Sequence, residues 1–278
     1  EQFDVVILQK RLFGGGVVRR LRKHARRLVY DIDDAIWLPH GKRHHWITRW
    51  RTERRLRNVV TQADLCLVAN DQIRRKLADC GGQAVVLPMA LAEADWMPPD
   101  RVAGPKVRLG WAGSPANLGY LKMIEADLAQ VLAAHPHIEL AVFCGARPEF
   151  DRDLPFTYLP FEAGREAEVV RSFDIGLLPL PGDSFSAYKS PIKALQYMAC
   201  GAATVASPVG ATEEMLEDGH TGLFAGRAGD WFDPISRLAT DSALRTSIQQ
   251  AARARFEECY SLERTADAFA RHLGALVE

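Results

Sequence analysis

The feature that most limits how this chain can fold is an alternation, sustained almost from end to end, of short apolar runs and helix-length amphipathic segments. Residues 3–8 form a β-rich run, 17–27 have helical spacing, 28–32 form a second apolar run and 46–61 are helical again. Residues 65–69 read as a strand, 71–80 as a helix with Asn70 as its N-cap, and 84–88 as a further strand. Strands separated by helices of about 10–15 residues imply βαβ units and a parallel sheet. The stretch 92–106, with Pro98-Pro99, Gly104 and Pro105, breaks the rhythm and reads as an interdomain linker. The rhythm then restarts: strand 107–111, helix 117–134, strands 138–144 and 157–159, helix 165–171, and strands 174–178 and 203–206 around a helix at 190–200. Three helical stretches, 231–239, 242–260 and 262–277, close the chain. The reading is therefore α/β, with two successive parallel-sheet domains at 1–95 and 107–260, a linker at 96–106 and a terminal helical segment at 261–278. Such sheets bind ligands beyond the carboxyl ends of their strands, so a cleft between the domains is the expected site.

Charge divides along the same line. The net charge is zero, yet residues 1–80 carry 18 Lys and Arg against 9 Asp and Glu, and residues 81–278 carry 17 against 26. The positive charge lies in two runs, from Arg19 to Arg27 and from Arg49 to Arg57. Solvated helix faces explain such runs; an anionic lipid surface or nucleic acid are the functional alternatives. Only Trp46 and Trp50 flank the second run, too few aromatics for base stacking, which favours lipid over nucleic acid. The five cysteines are scattered and odd in number, with no C-x-x-C, so neither a disulfide framework nor a zinc site is indicated. No apolar stretch approaches the roughly 20 residues of a membrane span, and residues 1–4 lack a signal layout. These features predict a cytoplasmic protein that is at most membrane-peripheral.

Two segments point to phosphate chemistry. Gly110-Trp111-Ala112-Gly113-Ser114 ends an apolar strand and opens toward a helix, where glycines allow close approach of a ligand and helix N–H groups favour a diphosphate. A tight turn with no ligand is the competing reading. Farther on, Ser190 reads as a helix N-cap, Pro191 as the first helical residue and Gly201 as the left-handed residue past its end. Lys189 precedes that helix, adding an ammonium to the positive end of its dipole. Lys193 and Gln196 lie three apart on neighbouring parts of one face; an exposed helix with solvated lysines is the alternative.

Residues 173–224, FDIGLLPLPGDSFSAYKSPIKALQYMACGAATVASPVGATEEMLEDGHTGLF, resemble the donor-binding core of family 4 (group 1) glycosyltransferases. The likeness extends to LVYDIDDAIW at 28–37, to 63–88, to LGWAGSPANLGYL at 109–121 and to Tyr260-Ser261-Leu262-Glu263-Arg264. The resemblance implies a GT-B fold of two Rossmann-like domains, with the closing helix returning to the first. Against that pattern the N-terminal acceptor-side domain is short, and an incomplete domain is expected. The resemblance also implies that Gly110, Gly113 and Ser114 face the donor diphosphate, and that Lys189, Ser190, Pro191, Ile192 and Lys193 bind it. Gln196 would stand at the second position of the family's E-x7-E motif, near the ribose, with Tyr188 at the first; a glutamine still serves a diol. Gly210, Ala211 and Thr212 would add donor contacts, and Phe161 would border the base.

Asp31-Ile32-Asp33-Asp34 invites a metal reading, because carboxylates bind hydrated Mg²⁺ weakly. Acceptor positioning or base work by Asp33 and Asp34, and simple turn capping, are the other readings. In the resembled family a His-Asp pair often stands here. His40, His44 and His45 show no ligand spacing. The reading that results is a retaining, metal-independent hexosyltransferase with Asp33, Asp34 and Lys189 as catalytic candidates and no cofactor beyond its nucleotide sugar. Its acceptor would be a glycan, a lipid-linked or a small molecule. A non-catalytic sugar-nucleotide-binding or scaffold protein is the alternative. A dehydrogenase or epimerase is disfavoured, since no G-x-G-x-x-G follows the first strand.

Overall fold

In the computed structural model, the described residues are 3–38, 45–99, 104–226 and 230–278. His40 and His44 fall outside them, as does part of the linker. The chain divides into two compact units: Glu1–Met89, Asp183–Ser190 and Glu263–Glu278 in one, Ala90–Gly182 and Pro191–Leu262 in the other.

The first unit is built on a four-stranded parallel sheet in the order β1-β2-β3-β4. Its elements run β1 (Val5–Gln9), α1 (Gly15–His24), β2 (Arg27–Ile32), α2 (Trp46–Val60), β3 (Leu65–Val68), α3 (Asp71–Asp79) and β4 (Ala84–Val86). β2 shows why the run 28–32 is continuously apolar. Leu28, Tyr30 and Ile32 face a core with Val18, Leu56, Val59, Ile73 and Leu77, while Val29 faces the other way with Leu65 and Leu67. Side chains alternate across a strand, so a strand covered on both faces must be apolar throughout. Asn70 caps α3 as expected, its Oδ1 accepting from the Ile73 amide at 3.0 Å.

The second unit holds a six-stranded parallel sheet in the order β10-β9-β8-β5-β6-β7. In chain order it comprises β5 (Val107–Gly113), α4 (Leu118–Lys122), α5 (Glu125–Ala134), β6 (Ile138–Cys144), β7 (Thr157–Pro160), α6 (Glu166–Arg171), β8 (Ile175–Leu178), α7 (Ile192–Ala199), β9 (Ala203–Ala206), α8 (Ala211–Met215), β10 (Leu223–Phe224), α9 (Phe232–Thr240) and α10 (Ser242–Cys259). The single helix expected over 117–134 is a 3-10 turn at Pro115–Asn117 followed by α4 and α5, with a break at Met123-Ile124. Part of the supposed linker is also ordered: Glu93–Trp96 is a 3-10 turn. The Arg253 guanidinium from α10 secures it, reaching Glu93 at 2.7 Å and the Trp96 carbonyl at 3.2 Å.

The terminal helix α11 (Leu262–Val277) belongs for most of its length to the first unit, where Phe269, Leu273 and Leu276 pack on Val29, Leu65 and Leu67. No helix among the described residues is long and apolar enough to cross a membrane.

Candidate functional site

The strand order of the second unit locates the candidate donor-side site within that unit. β5 is central; the chain moves from it to β6 and β7 on one side and then to β8, β9 and β10 on the other. The reversal falls between β5 and β8, and the carboxyl ends of strands at such a switch point are where open α/β sheets bind ligands. Gly113 ends β5, and Ser114 follows it, exposed. Two strands away, Phe161 follows β7 with 49% of its surface exposed and its ring 5.5 Å from that of buried Phe143. The phenylalanine is thus held from below and open above, the posture of a base-stacking platform. Gly210 precedes α8 with φ 55°, a left-handed conformation that glycine adopts without strain. A cavity of about 240 Å³ lies past the ends of β8 and β9, bordered by Pro179, Leu180 and Ser207.

Not every expected donor residue lies there. Gly110 sits three residues inside β5, opposite Gly176 of β8. A Cβ on Gly110 would meet the Phe173 ring at 2.1 Å, and one on Gly176 would meet Tyr197 at 2.5 Å. These glycines make room for two packed rings rather than for a diphosphate. The Tyr197 hydroxyl accepts from the Ala112 amide and donates to the Leu177 carbonyl, both at 3.2 Å, tying α7 to two strands. Ala211 and Thr212 are buried too, and the Thr212 hydroxyl has no hydrogen-bond partner among the described residues.

α7 begins later than the sequence suggests. Its first residue is Ile192 and Pro191 is the N-cap, with no side-chain cap bond. Gly201 does take the left-handed conformation past its end, at φ 66°. Lys193 is half-buried on its first turn; Gln196 is 8% exposed, and its Oε1 has no partner among the described residues. A buried amide oxygen left in this state favours a donor from a ligand, such as a hydroxyl.

Ser190, expected as that N-cap, is engaged within the first unit instead. Its hydroxyl donates to the Asp33 carbonyl at 3.2 Å and accepts from Asn70 Nδ2 at 3.2 Å. Asn70 Nδ2 also donates to the Tyr188 carbonyl at 3.1 Å. One side chain therefore caps α3 with its oxygen and holds the segment 188–190 with its nitrogen, a role beyond the capping readable from sequence. Tyr188 stands where many members of the resembled family carry a glutamate, but its ring packs edge-on against Trp37 at 5.2 Å and joins the core of the unit. Lys189 between them is half-buried. Burial pulls its ammonium below the ordinary lysine value, and nearby Asp34 and Asp183 push back.

The acidic cluster is divided by its partners. β2 ends at Ile32. Asp31 accepts from Gln9 Nε2 at 2.8 Å, and burial raises its carboxyl above the usual range. Asp33 pairs with the Lys10 ammonium at 2.6 Å, a bond that raises the lysine's pKa. Among the described residues Lys10 is the non-glycine residue with positive φ, at 47°, a conformation sparsely populated by such residues and concentrated at functional sites. Nothing in the local pattern singled it out. Among the described residues no group of three His, Cys, Asp or Glu side chains is gathered as a metal site. The Asp34 carbonyl accepts from the Ile36 amide at 2.8 Å, closing the turn after β2.

The comparisons with known proteins bear on both units. The family model for glycosyl transferases group 1 matches residues 107–241. D-inositol 3-phosphate glycosyltransferase of Actinosynnema mirum is 35% identical over 94 residues, covering 33% of this chain and 21% of the relative. The enzyme of that name from Pseudarthrobacter chlorophenolicus is 32% identical over 127 residues, 42% of this chain and 29% of the relative. The chain thus matches less than a third of the length of these relatives. Among solved structures, sucrose-phosphate synthase from Thermosynechococcus elongatus superposes with a TM-score of 0.75 at 17% identity, covering 99% of this chain and 74% of that one. Anabaena HepE in complex with UDP and glucose gives 0.71 at 14% identity, over 98% and 78% of the two chains. The two parallel-sheet units therefore have the GT-B fold.

Proposed function

We propose that this chain moves a hexose from a nucleoside diphosphate sugar to an acceptor hydroxyl, with retention at the anomeric carbon, on the ground that residues 107–241 match the family model for glycosyl transferases group 1. The observation that carries the reading is the coincidence of that family segment with a parallel sheet whose switch point falls at Gly113-Ser114. Relatives named for glycosyl transfer and a neighbour bound to UDP and glucose support the donor class. The acceptor is a glycan, a lipid-linked or a small molecule, and a relative's name that includes D-inositol 3-phosphate supports the last of these.

The roles follow from the chemistry at each position. Lys189 stabilises charge developing on the departing diphosphate, in a half-buried setting where a charge-assisted bond is strong. Gln196 Oε1 accepts from the ribose, and Phe161 supports the base. Asp33 and Asp34 position the acceptor. Transfer proceeds without a divalent cation, since Asp33 already has Lys10 as its counter-charge. Tyr188, packed on Trp37 in place of a glutamate, favours a second reading, a protein that binds nucleotide sugars without turning them over.

Turnover of a nucleotide-sugar panel, with and without chelator, separates these readings: transfer unaffected by EDTA is expected, and strict Mg²⁺ or Mn²⁺ dependence overturns the metal-independent route. Calorimetry tests Lys189. Lys189→Ala is expected to weaken nucleoside diphosphate binding by about 1.5–3 kcal/mol and to leave the free nucleoside unchanged. Equal losses for both ligands would refute the phosphate role.

A further inference from the structure

Within the first unit lies a second cavity that none of the proposed donor or acceptor residues lines. It encloses about 520 Å³ beside α1 and α2, within the range of roughly 300–1,000 Å³ typical of small-molecule sites and far larger than one ion needs. Arg19 of α1 and Arg51, Arg54 and Arg55 of α2 line it, and among the described residues no carboxylate does. Among the described residues no acidic side chain pairs with any of the four. The acid within the α2 run, Glu53, is turned to Lys76 at 3.0 Å, and Asp64 at the far end is held by Arg22 at 3.0 Å. Arg51 and Arg55 are one helical turn apart, a like-charge spacing that costs a helix stability unless something neutralises it.

Polypeptide backbone also lines the cavity, beside the polar side chains of Asn58, Thr61 and Gln62. Gly14, Gly15 and Gly16 contribute no side chains, and a Cβ on Gly14 or Gly16 would meet nothing within 4 Å. The amides of Gly15 and Gly16 open α1 and have no partner within the helix. Trp50 borders the cavity, 57% exposed, with the Arg54 guanidinium 5.5 Å from its ring centre. Guanidinium forks match phosphate oxygens in bidentate geometry, and an indole offers an apolar face to a sugar or cyclitol ring.

We propose that this cavity binds a ligand carrying two or more phosphate groups, as a soluble polyphosphorylated metabolite or as a phosphorylated lipid headgroup, separately from the nucleotide-sugar donor. Four guanidinium groups with no acidic partner among the described residues are more than one phosphate can satisfy, and the volume admits a second group and a ring. The site stands independently of the glycosyl-transfer reading, because the residues lining it are not those assigned to donor or acceptor.

Inorganic pyrophosphate is the probe, titrated calorimetrically against the Lys189→Ala protein so that the donor site contributes little. Saturable binding at one site is expected. Arg51→Gln combined with Arg55→Gln should weaken it at least tenfold, whereas Arg20→Gln with Lys23→Gln, the same charge change outside the cavity, should leave it within twofold. All four positions are exposed, and unchanged thermal unfolding verifies that the variants fold. Vesicles of phosphatidylcholine with phosphatidylinositol 4,5-bisphosphate form the second arm, against phosphatidylserine vesicles of equal charge. Preference for the bisphosphate that is lost in Arg51→Gln/Arg55→Gln identifies a headgroup; pyrophosphate binding without that preference identifies a soluble ligand. Equal losses in the two double variants, or no saturable pyrophosphate binding together with no bisphosphate preference, would overturn the proposal.

Discussion

Asn70 shows how much one side chain can carry. Its oxygen caps α3 and its nitrogen holds the Tyr188 carbonyl and the Ser190 hydroxyl on either side of Lys189. Asn70→Asp keeps the cap but sets a carboxylate oxygen against the Tyr188 carbonyl in a buried site, so it should both weaken donor binding several-fold and lower stability. Asn70→Ala removes both and should cost about 1–2 kcal/mol of stability as well. Urea unfolding alongside KM for the donor separates the two effects; an Asp variant with wild-type KM would show that the segment 188–190 does not depend on this bond. Lys189 adds a pH signature. Burial lowers its folded pKa, so the unfolded chain holds the proton more tightly and stability rises with pH between the folded value and the ordinary 10.5. Diphosphate affinity runs the other way, falling as the ammonium loses its proton at a pH below that of an ordinary lysine. Titrations across alkaline pH should show this fall in the wild type and not in Lys189→Arg, whose charge persists.

At the scale of elements, the terminal helix makes the clearest case. α11 has no fully buried residue, yet Phe269, Leu273 and Leu276 cover Val29, Leu65 and Leu67 on one face of the first sheet. Its apolar stripe is therefore a lid on strands that would otherwise expose β-branched and leucine side chains to water. Arg27 strengthens the attachment by donating to the Leu276 carbonyl. Phe269→Ala with Leu273→Ala should destabilise the first unit by about 2–4 kcal/mol, below the full cost of two buried truncations because both side chains are only half-buried. Hydrogen exchange reads it locally: amides of β3 should lose protection while those of β5 and β6 do not. Uniform loss in both sheets would mean that the helix stabilises the chain in some other way.

For the molecule as a whole, the charge division matters most. The basic excess of residues 1–80 is not all available: Arg22 is held by Asp64 and by the Ala25 and Arg26 carbonyls, and Arg26 reaches Asp4 at 2.9 Å. Arg19, Arg20 and Lys23 remain exposed on α1. On α2, Trp46 is 70%, Ile47 44% and Trp50 57% exposed, so the tryptophans are not core residues. Aromatic rings on an arginine-rich helix suit the headgroup region of an anionic membrane, where each basic residue contributes about 1 kcal/mol. Co-sedimentation with phosphatidylserine vesicles should therefore be strong at low salt, fall steeply with added salt, and drop further for Arg20→Glu/Lys23→Glu or Trp46→Ser. Indifference to such vesicles at low salt would leave the runs as solvated helix faces.

The sequence by itself determined the repeating strand–helix order, from which two parallel sheets follow, together with the α3 cap at Asn70 and the left-handed Gly201, because the signals for each lie within a few residues. Periodicity and capping are local physics, and they are legible without a structure. It did not determine why Gly110 is glycine: the β5 turn pattern suggested a ligand, and the Phe173 ring, 63 positions away in the chain, occupies the space. Nor did it show that Ser190 serves Asn70 and Asp33 rather than α7, that Lys10 neutralises Asp33, or that the helix over 117–134 is broken in two. Such pairings join residues from about twenty to well over a hundred positions apart. Only the tertiary structure decides them, because the partner that wins a buried hydrogen bond or fills a missing Cβ is chosen by packing, and packing has no signature in local spacing.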